Sequence, residues 1–138
     1  MANGKEYQYV SCLSFVYGCQ HLRVSRIAEC NNALVYPGIG FGAIISRSRT
    51  VSDKMIIAGT KALAALSPAL KDPDAALLPD FEDSREASFE VAVAVATAAI
   101  EEGVADVEWG VDEVREKVKE KIWVPQYDEF VYDPEGET

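Results

Sequence analysis

The stretch Cys30-Asn31-Asn32-Ala33-Leu34-Val35-Tyr36-Pro37-Gly38-Ile39-Gly40-Phe41-Gly42 holds the densest set of groups able to do chemistry. Each carboxamide offers two donors and an acceptor, so Asn31 and Asn32 side by side can grip a carboxylate, a hydroxyl or another carboxamide without adding charge. The same amides could instead satisfy neighbouring backbone. Ala33 to Tyr36 has strand character, and Pro37-Gly38 with Gly40 and Gly42 then allows tight turning and close backbone approach. This order predicts a short strand over 33–36 with polar side chains at its edge, followed by a glycine turn.

Other constellations are weaker. Gly38-x-Gly40-x-x-Ala43 satisfies the dinucleotide fingerprint formally. The fingerprint also needs a second strand ending in an acidic residue about 20 positions on, and a helix opening at Asp53 occupies that region. Cys12, Cys19 and Cys30 with the lone His21 lack the tight ligand pairs of a zinc site and read as free thiols in a reducing compartment. Asp72, Asp74, Asp80 and Glu82 sit among Pro68, Pro73 and Pro79, the pattern of a solvated connector rather than a metal cradle.

The elements that must position these groups are helical by pattern. Gly42 opens a short helix over 42–48, ending at the Arg47-Ser48-Arg49 cluster. Ser52 caps a helix over 53–66, with Met55, Gly59, Ala62, Leu63 and Leu66 on one face and Pro68 as the stop. Asp83 with Glu86 three residues on forms a capping-box pattern for a helix over 84–102, which Gly103 closes. Within it Phe89, Val91, Val93 and Val95 alternate like a strand, but the alanine content and length favour a helix buried on more than one side. A last helix over 112–122 turns Val111, Val114, Val118 and Ile122 inward and pairs Glu113 with Lys117 outside. Residues 133–138 form an acidic tail.

The net charge is −10. Residues 1–70 carry 7 basic and 3 acidic side chains (+4), and residues 71–138 carry 6 and 20 (−14). A surface of that sign excludes a nucleic-acid partner and an anionic membrane face. The longest strongly apolar run, Val91 to Ile100, is half the roughly 20 residues that span a bilayer. Tyr9 to Cys19, behind Lys5, imitates a signal peptide poorly, because Glu6 precedes it and Arg23 and Arg26 follow.

Cys30 to Gly42, taken with Ile122-Trp123-Val124-Pro125-Gln126-Tyr127-Asp128-Glu129-Phe130 and with Leu77-Leu78-Pro79 and Arg85 in order between them, resembles the C-terminal part of malic enzyme. That family oxidatively decarboxylates malate to pyruvate and CO2 with NAD or NADP and Mg2+ or Mn2+. The resemblance runs from about Arg26 to Tyr132. It implies an α/β chain, a C-terminal fragment of a Rossmann-type NAD(P)-binding domain that is mostly helical as it stands. It also assigns Asn31 to malate binding and Asn32 to malate and the nicotinamide; Gly38 stays a candidate cofactor contact by its spacing alone, since the family's glycine-rich cofactor loop lies upstream of this stretch. In the family the Tyr and Lys acid–base pair and the metal ligands lie upstream of the Asn pair, in more chain than precedes Asn31 here. Malate and NAD(P) are thus expected partners of the complete enzyme, a homo-oligomer of cytoplasm or mitochondrion, and this chain alone is expected to be inert.

The resemblance divides the chain into a non-family segment 1–25, the family segment 26–132 and the tail 133–138. Residues 8–25 separate a polar Gly-Lys turn from the Asn pair. They read as a translated intron, since Val10-Ser11 can be encoded by a splice-donor hexamer. A surface insertion, which loops tolerate at small entropic cost, is the competing reading. Two other functions stay open: a small binding module gripping an organic acid or nucleotide, and an interaction protein docking on full-length malic enzyme. A strand at 33–36 parted from its parental sheet would leave the isolated chain marginally stable or prone to aggregate.

Overall fold

A computed structural model of the chain describes residues 7–11, 23–27, 31–124 and 126. Two strands, β1 (Tyr7–Ser11) and β2 (Arg23–Ile27), pair antiparallel with Tyr7 opposite Ile27 and Ser11 opposite Arg23. The register sets Gln8 against Arg26 and Tyr9 against Ser25, so the two borders of the 8–25 segment lie beside one another.

Everything else with regular structure among the described residues is helical: α1 (Tyr36–Ile45), α2 (Asp53–Ala65), α3 (Ser84–Glu101) and α4 (Val114–Lys121), with short 3-10 turns between. The described part is therefore mostly helical. No described helix is long and apolar enough to cross a membrane.

The hub is α3, against which α1, α2 and α4 all pack. Its apolar residues fall on two sides. Val91, Val95, Ala98 and Ala99 join Met55 of α2, while Ala92 and Ala96 join Ile45 of α1 and Val114 and Val118 of α4. The Phe89–Val95 alternation is thus a helix wrapped by neighbours, with Phe89 and Val93 on the α4 side and Val91 and Val95 on the α2 side. Its stop is at Gly103, which takes φ +71°, a conformation that costs L side chains but not glycine. Gly103 N donates to Ile100 O at 3.0 Å and Val104 N to Ala99 O at 3.1 Å, the paired bonds of a Schellman end.

Helix α2 begins as its sequence predicts: Ser52 accepts from Met55 N at 3.2 Å, and the helix yields at Leu66, before Pro68. At α3 the capping differs from expectation. Asp83 makes no side-chain cap bond, because a 3-10 turn over Phe81–Asp83 runs straight into the helix and Asp80 does the capping, accepting from Phe81 N at 2.8 Å. In α4, Val114 and Val118 are buried, Ile122 is half-buried and Val111 is exposed in the preceding turn. The expected Glu113–Lys117 pair is replaced. Glu113 accepts from Gly110 N at 3.4 Å, which turns it back toward the helix start, and Lys117 lies 3.4 Å from Glu120.

The clasp between α3 and α4 is Arg115. Its guanidinium donates two parallel hydrogen bonds to Glu90, at 2.9 and 2.6 Å, and its Cζ stands 5.3 Å above the Phe89 ring. The hydrogen bond to Glu90 is the main cause that raises the Arg115 pKa above its already high ordinary value; Glu90's charge adds to it and slight desolvation opposes it. The pair faces solvent, so Arg115→Ala is expected to cost only about 1 kcal/mol, counting ion pair and ring contact together. Chemical denaturation reads this directly, and high salt should shrink the difference.

The strand predicted over 33–36 is not formed. Asn32–Leu34 is a 3-10 turn and α1 opens at Tyr36, six residues before the expected start. The α1 helix also ends at Ile45 rather than 48, and Arg47 follows in the left-handed region at φ +50°. Three features explain the change, two of them local and one set by packing on α3. Asn31 caps the turn, Pro37 sits in the first helical turn where its missing N–H costs nothing, and the glycines let the helix approach α3 more closely than side chains would permit.

Candidate functional site

Asn31 and Asn32 sit at the entrance to α1, both exposed. Asn31 Oδ1 accepts from Ala33 N at 2.9 Å, and the Asn31 and Asn32 carbonyls accept from Leu34 N and Val35 N, each at 3.1 Å. Leu34 is buried against the core and pins the turn from below. The backbone of the pair is therefore held by three hydrogen bonds and one apolar anchor. Capping uses the Asn31 oxygen, and what each carboxamide keeps for a ligand includes two N–H donors. Neutral donors on a fixed backbone suit a carboxylate or hydroxyl, where orientation rather than charge is needed.

The turn continues into a close helix contact. Gly38, the third sequence candidate, lies inside α1 and faces α3; a Cβ there would stand 2.6 Å from Val91 Cβ and 2.7 Å from Ser88 O. Gly42, one helical turn on, meets Ala92 O at 2.7 Å and Val95 Cβ at 2.8 Å in the same way. The backbone approach that these glycines permit is made to α3. Gly40, between them, faces open space.

The far end of α1 is tied down too. Ser46 is fully buried and its hydroxyl donates to Gly42 O at 2.8 Å, while Asp106 N donates to Ser46 O and Arg49 N to Val104 O, each at 3.1 Å. Ser52 Oγ donates to Glu102 Oε2, and Lys54 Nζ stands 3.5 Å from Glu102 Oε1. Sequence reading found Ser52 as a cap but missed Glu102, because nothing local announces a partner fifty residues away. Among the described residues no group of three or more His, Cys, Asp or Glu side chains could hold a metal ion. Cys12, Cys19, His21 and Cys30 lie outside the described residues, as do Pro125 and the segment from Tyr127 to Thr138.

Residues 20–100 match the family model described as malic enzyme, NAD binding domain. The chain is 39% identical over 105 residues to the NAD-dependent malic enzyme of Acinetobacter baylyi, covering 76% of this chain and 18% of that protein. Against the NAD-dependent malic enzyme of Schizosaccharomyces pombe it is 39% identical over 107 residues, covering 76% and 19%. The crystal structure of malic enzyme from Pyrococcus horikoshii superposes with a TM-score of 0.53 at 33% identity, over 65% of this chain and 20% of that one. The chain thus spans about a fifth of the length of the relatives it matches. With a family model covering more than half of its residues, this chain belongs to the malic enzyme family, in the region of the NAD-binding domain.

Proposed function

We propose that this chain is the C-terminal part of a Rossmann-type NAD(P)-binding domain and that, within a longer malic enzyme, Asn31 and Asn32 form part of the malate and nicotinamide pocket. The observation that carries this is the exposed pair of neutral amides on a turn locked by its own cap and by buried Leu34. On this reading Asn31 orients the substrate carboxylate and Asn32 holds the hydroxyl-bearing end beside the nicotinamide. Neither needs to carry charge or move a proton. Gly38 serves the same pocket indirectly, by seating α1 on α3. The divalent metal of the family would supply the electron sink for decarboxylation, from ligands outside the described residues. The complete protein would be a homo-oligomer using NAD, the cofactor in its relatives' names, or NADP.

Because the family's Tyr and Lys acid–base pair lies upstream of the Asn pair, the chain by itself is expected to be inert. Incubated with malate, NAD and Mn2+, it should form no reduced nicotinamide above the enzyme-free blank. Sustained formation that disappears in Asn31→Ala would overturn this part of the proposal.

A second reading, docking on a full-length subunit, is favoured by one observation. Tyr36 and Ile44, 63% and 74% exposed, lie along one side of α1 with Pro37 and Gly40, a strip without a charged side chain. An isolated chain should therefore still tend to self-associate, for this apolar strip rather than for an unpaired strand. Docking predicts recovery of a malic enzyme subunit with the chain and no malate binding by the chain alone. The 8–25 segment we read as inserted, a reading that the adjacency of its borders in the β1–β2 register supports and that the family match, which begins at residue 20, narrows to 8–19; spliced transcripts lacking those codons would identify it as an intron.

A further inference from the structure

The loop joining α1 to α2 is basic in an acidic protein, and the pocket reading does not use it. It runs Arg47-Ser48-Arg49-Thr50-Val51-Ser52, which places arginines five and three residues before Ser52. Both are at the surface. Arg47 is 73% exposed and makes only a 4.0 Å contact with Asp106, itself 72% exposed, while Arg49 reaches the Gly103 carbonyl at 3.2 Å. Residues 48–52 belong to no helix, and Ser52 is extended, with φ −86° and ψ 162°. An extended serine with guanidinium groups at those two offsets is what an arginine-directed protein kinase binds, because acidic pockets grip planar guanidinium forks through paired hydrogen bonds.

We propose that Ser52 is a phosphorylation site for such a kinase, and that the phosphate unlatches the α1–α2 loop from the end of α3. In the transfer Ser52 Oγ attacks the γ-phosphorus of MgATP. The Oγ–P bond forms, the bond from that phosphorus to the bridging oxygen breaks, ADP leaves, and the hydroxyl proton passes to a carboxylate of the kinase.

The consequence follows from what Ser52 holds. Its hydroxyl proton is donated to Glu102, a side chain only 18% exposed that also pairs with Lys54. A phosphate ester has no such proton and brings a charge of about −1.5 to −2 against that carboxylate. Lys54, which pairs with the same carboxylate, attracts the new anion, whereas Glu102 and Asp53 repel it, so Glu102 is displaced while the phosphate oxygens can still accept from Met55 N. The backbone bonds from Arg49 N to Val104 O and from Asp106 N to Ser46 O then lose the side-chain clasp beside them.

The test is to incubate the full chain with MgATP and the catalytic domain of an arginine-directed serine/threonine kinase, map the phosphate by fragmentation mass spectrometry, and follow amide hydrogen exchange. The expected result is one phosphate, on Ser52, with incorporation about tenfold slower in Arg49→Ala, which leaves the Ser52 cap in place. Exchange at the Arg49 and Asp106 amides should rise about tenfold on phosphorylation. Ser52→Asn, which keeps a capping side chain, should take up none. Absence of incorporation, or a phosphate on Ser48 or Thr50 instead, overturns the site; phosphate on Ser52 with unchanged exchange overturns the latch. The outcome is independent of the malate pocket, which is read by a different assay.

Discussion

Gly42→Val should destabilise the chain by about 3 kcal/mol, and Gly38→Val by a similar amount. The cause is that α1 and α3 meet backbone to backbone. At Gly42 a Cβ would lie 2.7 Å from the Ala92 carbonyl oxygen, and at Gly38 2.7 Å from that of Ser88, so helix main chain rather than a rotamer would have to move. Even alanine is too large at either position, although it would gain the roughly 1 kcal/mol that glycine forfeits in a helix interior. Gly40→Ala is the control. With nothing within 4 Å of its Cβ, it should keep that gain and stabilise the chain by about 0.5–1 kcal/mol. Gly59, on the other side of α3, is intermediate, its nearest contact being Val95 Cγ2 at 3.0 Å, an end that can give. Denaturant midpoints for the Gly42→Val and Gly40→Ala chains should therefore shift in opposite directions.

Met55→Ala should cost about 2–5 kcal/mol. Met55 is fully buried where α2 crosses α3, among Val91, Val95, Ala98 and Ala99. Alanine neighbours have no atoms with which to fill the space it leaves, so the upper half of that range is expected. Ile57, two positions on and exposed, gives the comparison on the same helix: Ile57→Ala should change stability by less than about 1 kcal/mol. Equal losses at the two sites would mean that α2 does not present the Met55 face to α3.

These contacts also show which parts of the fold local sequence announces. The helices at 53–66 and 84–102 were legible because their signals are local: a serine cap before an apolar stripe, a long alanine-rich run, a glycine at the stop. The helix α1 was not. Val35 and Tyr36 favour extended backbone, three glycines disfavour a helix, and the residues that reverse both preferences, Val91 and Val95, lie some fifty positions away. Asp83 looked like the cap because it stands before the apolar run, but Asp80 caps a 3-10 turn earlier. At the candidate site the Asn pair was visible from residue type and its setting was not. The amides flank a helix start instead of a strand edge, and Asn31 spends its oxygen on the Ala33 amide. Gly38, attractive as a phosphate-loop residue by spacing, lies within a helix contact. The link from Ser52 to Glu102 carried no local signal at all.

The most direct test of the Asn31 assignment is kinetic. Residues 31–124 of this chain would replace the matched segment of the Pyrococcus horikoshii malic enzyme, and malate-dependent cofactor reduction would be compared with Asn31 intact and as Asn31→Ala, at equal folding and assembly. If Asn31 orients malate, kcat/KM for malate falls on the order of a hundredfold while the cofactor KM changes little. A folded Asn31→Ala chimaera whose kcat/KM for malate stays within about twofold of its parent would contradict the account, and Asn31 would then be a helix-entry cap and nothing more.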